Sequence, residues 1–488
     1  MQYKWTVLTV TTVGVLMSGI DGRIVIVGLP TVAAALHADA EQAIWFTQAY
    51  TIGSTIALLF IGRVSDMFGR VKVYSVGFTI FTVGSFLTAS SGDPNAFIAA
   101  RIFQGLGSAA LFANSAAIIA DGFPSNQLGT ALGINQIAFR AGAVGGLTLS
   151  GLILAVLDWR FLFYVNIPVG IFGTLWAYWR LHEVGKRERT APMDWLGFIS
   201  FTVFITSLLL SLTFAAYGSV DFSVVIGLGV LAAASLMAFV RIERRTEHPL
   251  LDLSLLSIRE FTGGCLAQMI NSVAWGAFLL VISLYLQLVQ GLSPLQAGVA
   301  MLPFDIGFLL AGPLSGHFSD KYGVLPFTTA GLMVISASLF LFSKVAVNTP
   351  YLDIATLLVV GGLGTGFFAS PNMSSIMGSV PAKRRAVASA LRATFFNVGY
   401  TLSVNAVILL MTLKVPYSLI TSVISSITPT ALSLSERTAF AGGLNFVYLV
   451  LFVVNTLAFI PSLLRGKRVA HQADADNSGA GVPSVEVE

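Results

Sequence analysis

Six ionisable side chains stand inside long apolar runs of this sequence: Asp21, Arg23, Arg101, Arg140, Asp305 and Arg392. A charge in such surroundings costs several kcal/mol or more unless it is paired or hydrated, so each marks a candidate site. The chemistry available to them is proton exchange. Desolvation favours the neutral carboxyl, and a nearby guanidinium favours the carboxylate. A carboxylate that gains and loses a guanidinium partner therefore binds a proton in one arrangement and releases it in another. The same pair held rigidly is a buried strut. Polar side chains in the runs, Gln48, Gln136, Gln268, Asn271, Gln287, Asn397 and Asn405, either line a cavity or bond between helices.

The elements that carry these groups follow from composition. The chain has 488 residues, 10% of them charged, and a mean hydropathy of +0.83. A soluble protein carries about 25% charged residues, so lipid is the main solvent here. Only helices and closed barrels satisfy the backbone in lipid. The apolar runs are about 20 residues long, which suits spanning helices; barrel strands are about half that length and alternate. Fourteen spans are expected, near 5–29, 43–62, 73–91, 96–120, 130–155, 161–181, 195–215, 222–240, 261–289, 297–317, 325–343, 351–372, 386–413 and 440–464. The first run lacks a small-residue cleavage site and reads as a retained helix.

Basic residues orient the spans. With the N-terminus inside, 19 of the 27 Lys and Arg fall in inner segments and 4 in outer ones. This bias places both termini in the cytoplasm of a multi-pass cell-membrane protein. The net charge of +4 then reports inner loops, and nucleic acid is not an expected partner. The single cysteine, Cys265, permits neither an internal disulfide nor a thiolate metal cluster. No Walker loop, H-E-x-x-H or G-x-S-x-G motif is present, so no enzyme chemistry, metal or cofactor is expected, and an ion gradient must supply the energy.

Depth suggests partners. Asp21 lies about 16 residues into the first span, or ~24 Å from the inner side, and Arg101 about five residues into the fourth from the outer side. The two stand at similar depth, as a proton-coupling pair or a static one. Arg23 points about 200° away from Asp21; it either snorkels to the outer headgroups or enters the interior. Arg140 is a substrate contact or a buried structural charge. Asp305 is a candidate second proton or cation site. Gly142, Gly146 and Gly151, with Ser150, form a small-residue seam for close helix packing. Four interior Arg against two Asp favour an anionic or zwitterionic substrate over a cation.

A repeat links the two halves. Gly62 to Lys72 reads GRVSDMFGRVK and Gly316 to Gly323 reads GHFSDKYG, each after the second helix of a six-helix unit. Matched signals of this kind mark a duplicated transporter fold. Gly62 and Gly69 suit a tight turn, Asp66 and Asp320 sit near the start of the next helix, and Arg70 can pair with Asp66 or a neighbouring helix end. The group is expected to latch bundles on the inner face.

GRVSDMFGRVK resembles the signature loop of the major facilitator superfamily. Further segments resemble its fourteen-helix drug–proton antiporter family: IDGRIVIVGLP (Ile20 to Pro30), RIFQGLGSAA (Arg101 to Ala110), DWRFLFYVNIPVG (Asp158 to Gly170) and LYLQLVQGLSPLQAGVAMLP (Leu284 to Pro303). The resemblance implies an all-α membrane fold of two six-helix bundles with two inserted helices, and a central cavity lined by the first and fourth helices. Departures exist. Arg23 and Ile26 stand where Thr and Asn are usual, Leu147 replaces the proline of the fifth-helix pattern, and Phe396 takes the place of a frequent Arg, with Arg392 one turn earlier.

The expected organisation is a first bundle over 1–185, linkers and two inserted helices over 186–250, a second bundle over 251–466 and a disordered tail over 467–488. The expected function is proton-coupled antiport that exports small amphipathic molecules or drugs by alternating access. The partners are a small-molecule substrate, protons and the bilayer, and the expected state is a monomer. Asp21, Arg101 and Asp305 are the proton-coupling candidates. Arg23, Arg140, Gln48, Gln136, Gln268, Asn271 and Arg392 are the candidate cavity residues. Leu147 and the extra arginines leave open a symporter or uniporter for a small anion, and a non-transporting receptor or scaffold is a third reading.

Overall fold

A computed structural model of the chain describes residues 3–123, 125–183, 193–217, 220–246, 249–251, 253–380, 385–415 and 433–466. The expected tail and much of the linker over 184–192 lie outside them. Among the described residues every regular element is helical. The first half holds α1 (Tyr3–Ala35), α2 (Ala40–Phe68), α3 (Arg70–Ala89), α4 (Pro94–Gly122), α5 (Ser125–Val156), α6 (Phe161–Tyr164) and α7 (Asn166–Arg180). An inserted pair follows, α8 (Trp195–Tyr217) and α9 (Phe222–Glu243). The second half holds α10 (Arg259–Trp275), α11 (Phe278–Leu284), α12 (Pro294–Ala300), α13 (Leu302–Tyr322), α14 (Val324–Phe342), α15 (Tyr351–Gly378), α16 (Arg385–Thr412), α17 (Leu434–Leu457) and α18 (Phe459–Leu464). Thirteen helical runs are long and apolar enough to cross a membrane, and the 29-residue α2 is a further helix of that length.

Two expected spans are broken, each for a local reason. The run 261–289 divides at Gly276, where the Ser403 hydroxyl of α16 accepts the Ala277 N–H at 2.9 Å, and ends in a π turn, Tyr285–Val289. The run 297–317 begins earlier, at a Ser293 capping box followed by Pro294. It divides at Met301, and Pro303 then opens α13. This break places Asp305 in the first turn of α13, where the positive end of the helix dipole meets its charge.

The repeated loops take the same corner. Gly69 and Gly323 have φ of 107° and 89°, in the left-handed region that only glycine enters freely. Each donates its N–H to a serine carbonyl four residues back, Ser65 and Ser319, at 2.9 Å. The chain thus turns directly from α2 into α3 and from α13 into α14. Arg70 pairs with Asp121 at the end of α4 at 2.8 Å, and the Glu183 carboxylate accepts the N–H groups of Arg70 and Val71. This caps the start of α3. The expected turn at Gly62 and the placement of Asp66 and Asp320 at the start of the next helix are corrected: all three lie in the last turns of α2 and α13, because the helices run on to the corner glycines, and the bonds of Arg70 to Asp121 and Glu183 lie within the first bundle. The side chains of Asp66 and Asp320 lie outside the described residues.

In the first bundle α1 packs on α5 and α4, α2 on α4, and α3 on α4 and α7. In the second, α13 and α14 pack on α15, and α10 on α16 and α17. The bundles meet where α2 faces α16 and where α5 faces α12 and α13. The inserted α8 lies against both α2 and α16, and α9 packs on α8. The glycines of α5 serve two partners. Gly142 and Gly146 face the α1 backbone at Leu16 and Ile20, whereas Gly151 faces the backbone of Leu295 in α12. Close approach of backbones needs small residues at these points. Leu147, where the resembled family has proline, is buried, and a Cβ on Gly298 would stand 2.7 Å from its carbonyl oxygen.

Leucine at Gly142 or Gly146 must push α1 off α5. The expected loss is about 1–3 kcal/mol of overpacking strain or more, whereas Gly145→Ala, with nothing within 4 Å of its added Cβ, is neutral. Thermal unfolding of purified protein in detergent checks this. Equal melting of all three variants would remove the seam.

Candidate functional site

Asp21 is completely buried in α1, and Arg101 in α4 is 2% exposed. Arg101 Nη1 meets Asp21 Oδ2 at 2.7 Å. Two further donors complete the carboxylate: Gln104 Nε2 at 2.8 Å and Asn166 Nδ2 at 2.9 Å, both on Oδ1. Arg101 also donates to Gln104 Oε1 at 2.6 Å and to the Phe46 carbonyl at 3.3 Å. Its guanidinium lies 4.5 Å from the Tyr50 ring centroid and 5.6 Å from that of Phe163. Gln104 reaches on to Ser85 of α3. Four helices of one bundle are thus tied at a single carboxylate. A buried ion pair holds together only when its remaining lone pairs and protons are satisfied, and Asp21 has three donors.

Gln104 and Asn166 are the functional residues that reasoning from sequence did not single out. Both stood in the quoted segments, as the Gln of RIFQGLG and the Asn of VNIPVG. Their amides inside apolar runs were the available signal.

The second charged group joins the two bundles. Arg23 Nη1 of α1 meets Asp305 Oδ1 of α13 at 3.0 Å, with side-chain exposures of 15% and 4%. Of the two places sequence allowed for Arg23, it takes the interior. Asp305 Oδ2 is buried and has no partner. Arg140 of α5 lies with its guanidinium 4.0 Å from the Phe308 ring centroid, a contact that also crosses between bundles. Arg23, Asp305 and Arg392 lie within electrostatic range of Arg140. Arg392 of α16 reaches Gln268 Oε1 only at 3.5 Å, and its Nε is unpartnered. Among the described residues neither Arg140 nor Arg392 has a carboxylate within ion-pair distance.

Other candidate cavity residues sit differently. Gln48 of α2 is fully buried and forms a reciprocal amide pair with Asn405 of α16, at 3.1 and 3.2 Å. It is a clasp between bundles and lines no open space, because both of its polar atoms are spent on Asn405. Asn271 is 7% exposed and donates to Asn455 at 2.8 Å inside the second bundle, which likewise takes it out of a cavity. The side chain of Gln136 lies outside the described residues. No group of three or more metal-ligating side chains occurs among the described residues.

Comparison with known proteins places this geometry. The model of the Major Facilitator Superfamily matches residues 11–250 and 264–437. The riboflavin transporter RibZ of Clostridioides difficile (strain 630) is 31% identical over 402 residues, covering 82% of this chain and 87% of that protein. The tetracenomycin C resistance and export protein of Streptomyces glaucescens is 27% identical, covering 84% and 76% respectively. Among solved structures a D-xylose–proton symporter superposes with a TM-score of 0.65 at 14% identity, covering 96% of this chain and 98% of that one. The chain belongs to the Major Facilitator Superfamily. It is a multi-pass transporter of the plasma membrane and not an enzyme.

Arg101→Leu leaves Asp21 buried with two neutral donors, and the expected cost is about 3–5 kcal/mol. The double variant Asp21→Leu/Arg101→Leu should recover much of it, since no orphaned charge remains. Thermal unfolding of the three proteins in one detergent is the check. A double variant no more stable than Arg101→Leu would mean that the pair is not mutually compensating.

Proposed function

We propose that this member of the superfamily is a proton-coupled secondary transporter that exports small amphipathic molecules by alternating access, with Asp305 as the coupling carboxylate. One observation carries the assignment. Asp305 pairs with the Arg23 guanidinium of the opposite bundle, keeps one buried oxygen without a hydrogen-bond partner, and has Arg140 within electrostatic range. When the bundles rock apart, Arg23 leaves, and a carboxylate in apolar surroundings can exchange that partner for a proton. Proton binding and the movement of α1 against α13 are then one event. Asp21 takes the structural role, since a proton there would have to displace three donors inside one bundle. Export is supported by relatives named as resistance and export proteins, among them the multidrug resistance protein 3 of Bacillus subtilis (strain 168), 27% identical over 80% of this chain.

A second reading has its own support. Arg140 and Arg392 carry no carboxylate partner among the described residues. Such guanidinium groups suit a carboxylate or phosphate on the substrate. An anion and the proton on Asp305 would favour each other electrostatically, so they would move in the same direction. A cation would compete with the proton and move against it. The direction of proton flow therefore separates the two readings.

The test uses proteoliposomes with an imposed pH gradient and a panel of cationic, neutral and anionic aromatic amphiphiles. Uphill movement against the proton flux is expected for antiport, and movement with it, confined to anions, for the second reading. Asp305→Asn should abolish coupling in either case. Asp21→Asn should lower the yield of folded protein and leave coupling per folded molecule intact. Coupling that survives in Asp305→Asn would remove Asp305 from the mechanism. If movement with the proton is the result, Arg140→Gln should cut anion uptake at least about tenfold, the size of a lost charged hydrogen bond.

A further inference from the structure

The inserted pair α8–α9 has a charged group at its root that the transport site does not use. Asp194 precedes α8 and is 8% exposed; Glu243 closes α9, beyond Arg241 and past the apolar run, and is 4% exposed. One oxygen of each has ordinary work. Asp194 Oδ1 accepts the Gly197 N–H at 2.8 Å and so caps α8. Glu243 Oε2 accepts the Leu251 N–H at 3.0 Å on the linker that runs into the second bundle. The remaining oxygens, Asp194 Oδ2 and Glu243 Oε1, are buried and have no partner. They converge on the same spot. A Cβ built on Gly197 would stand 2.8 Å from Glu243 Oε1 and closer still to Asp194 Oδ2.

Among the described residues no cation forms an ion pair with them. Arg241, Arg244 and Arg245 on the last turns of α9 are exposed to solvent. Arg63 of α2 and Arg392 of α16, the latter turned to Gln268, form no ion pair with either carboxylate. Two like charges this close and this poorly solvated do not both stay ionised. No third acid or imidazole joins the two carboxylates among the described residues, and a shared proton needs only their two free oxygens.

We propose that Asp194 and Glu243 form a second proton-binding site, a carboxyl–carboxylate pair sharing one proton, which locks the root of the inserted helices to the linker at Leu251. The two free oxygens face each other over Gly197 with no donor between them, so the folded pair holds a proton that separated carboxyls in the unfolded chain release at lower pH, and stability falls as pH rises. Once that proton is lost the two charges repel, and the contact between α8, α9 and the linker loosens.

The experiment is hydrogen–deuterium exchange of the full chain in lipid nanodiscs from pH 5.5 to 8.5, corrected for intrinsic exchange. Residues 195–200 and 249–257 are read against α4 as reference. Wild type should lose protection in both segments as pH rises across this range. Asp194→Asn and Glu243→Gln, each keeping an acceptor oxygen for its backbone bond, should hold constant protection across the range. Should one variant fail to fold, the other carries the comparison. A pH response in the variants equal to that of wild type overturns the proposal, as does a wild type with no response. Protection restored at pH 8.5 by magnesium or sodium chloride, and not by choline chloride, would assign the pair to a metal cation and also overturn it.

Discussion

A carboxylate denied water must collect enough donors to replace its hydration, and the first bundle is arranged around that requirement. Asp21 draws a guanidinium from α4 and amides from α4 and α7, and through Gln104 it reaches α3. Each donor fixes the rotation of its helix about the helix axis, because turning it by one residue, ~100°, would carry the donor away. Lipid offers no hydrophobic drive between helices, so polar ties and close packing set their arrangement. The glycines then let the backbones approach, with Gly142 and Gly146 on α1 and Gly107 against Phe81 of α3.

Contacts between the bundles are of another kind. Arg23–Asp305, Gln48–Asn405 and the Gly151–Leu295 approach all lie toward the end of the molecule opposite the Gly69 and Gly323 corners. Each is local and few in polar bonds, unlike the network around Asp21. Together they close that end. A rocking motion can break them without disturbing the inside of either bundle, since no donor to Asp21 comes from the second half. The buried free oxygen of Asp305 stands at this junction between the bundles, with Arg140 on the Phe308 ring nearby.

The inserted helices are fastened at two levels. Near the closed end Thr213 of α8 donates to Asn405 Oδ1 at 3.0 Å and joins the clasp between α2 and α16. At their root Asp194 caps α8 and Glu243 ties α9 to the linker at Leu251. The insert is therefore in contact with both bundles. Its outer side is apolar and exposed, with Trp195, Leu196, Val230 and Met237 all more than half exposed, as a lipid-facing surface requires.

Sequence alone determined the solvent, the element type and the six charges in the midst of the apolar runs, because lipid permits few alternatives and makes every buried charge conspicuous. It also gave the corner glycines, since Gly69 and Gly323 recur at matched places, and it named Asp21 and Arg101 as neighbours from depth. It allowed Arg70 a neighbouring helix end without naming Asp121 and Glu183 as its partners, and it took Gln48 and Asn271 for cavity residues. Those choices belong to tertiary structure. Depth follows from counting along one helix, whereas facing depends on how each helix is rotated against several others. That rotation decided that Asp21 is saturated, that Asp305 keeps a free oxygen, and that two carboxylates about fifty residues apart meet over Gly197.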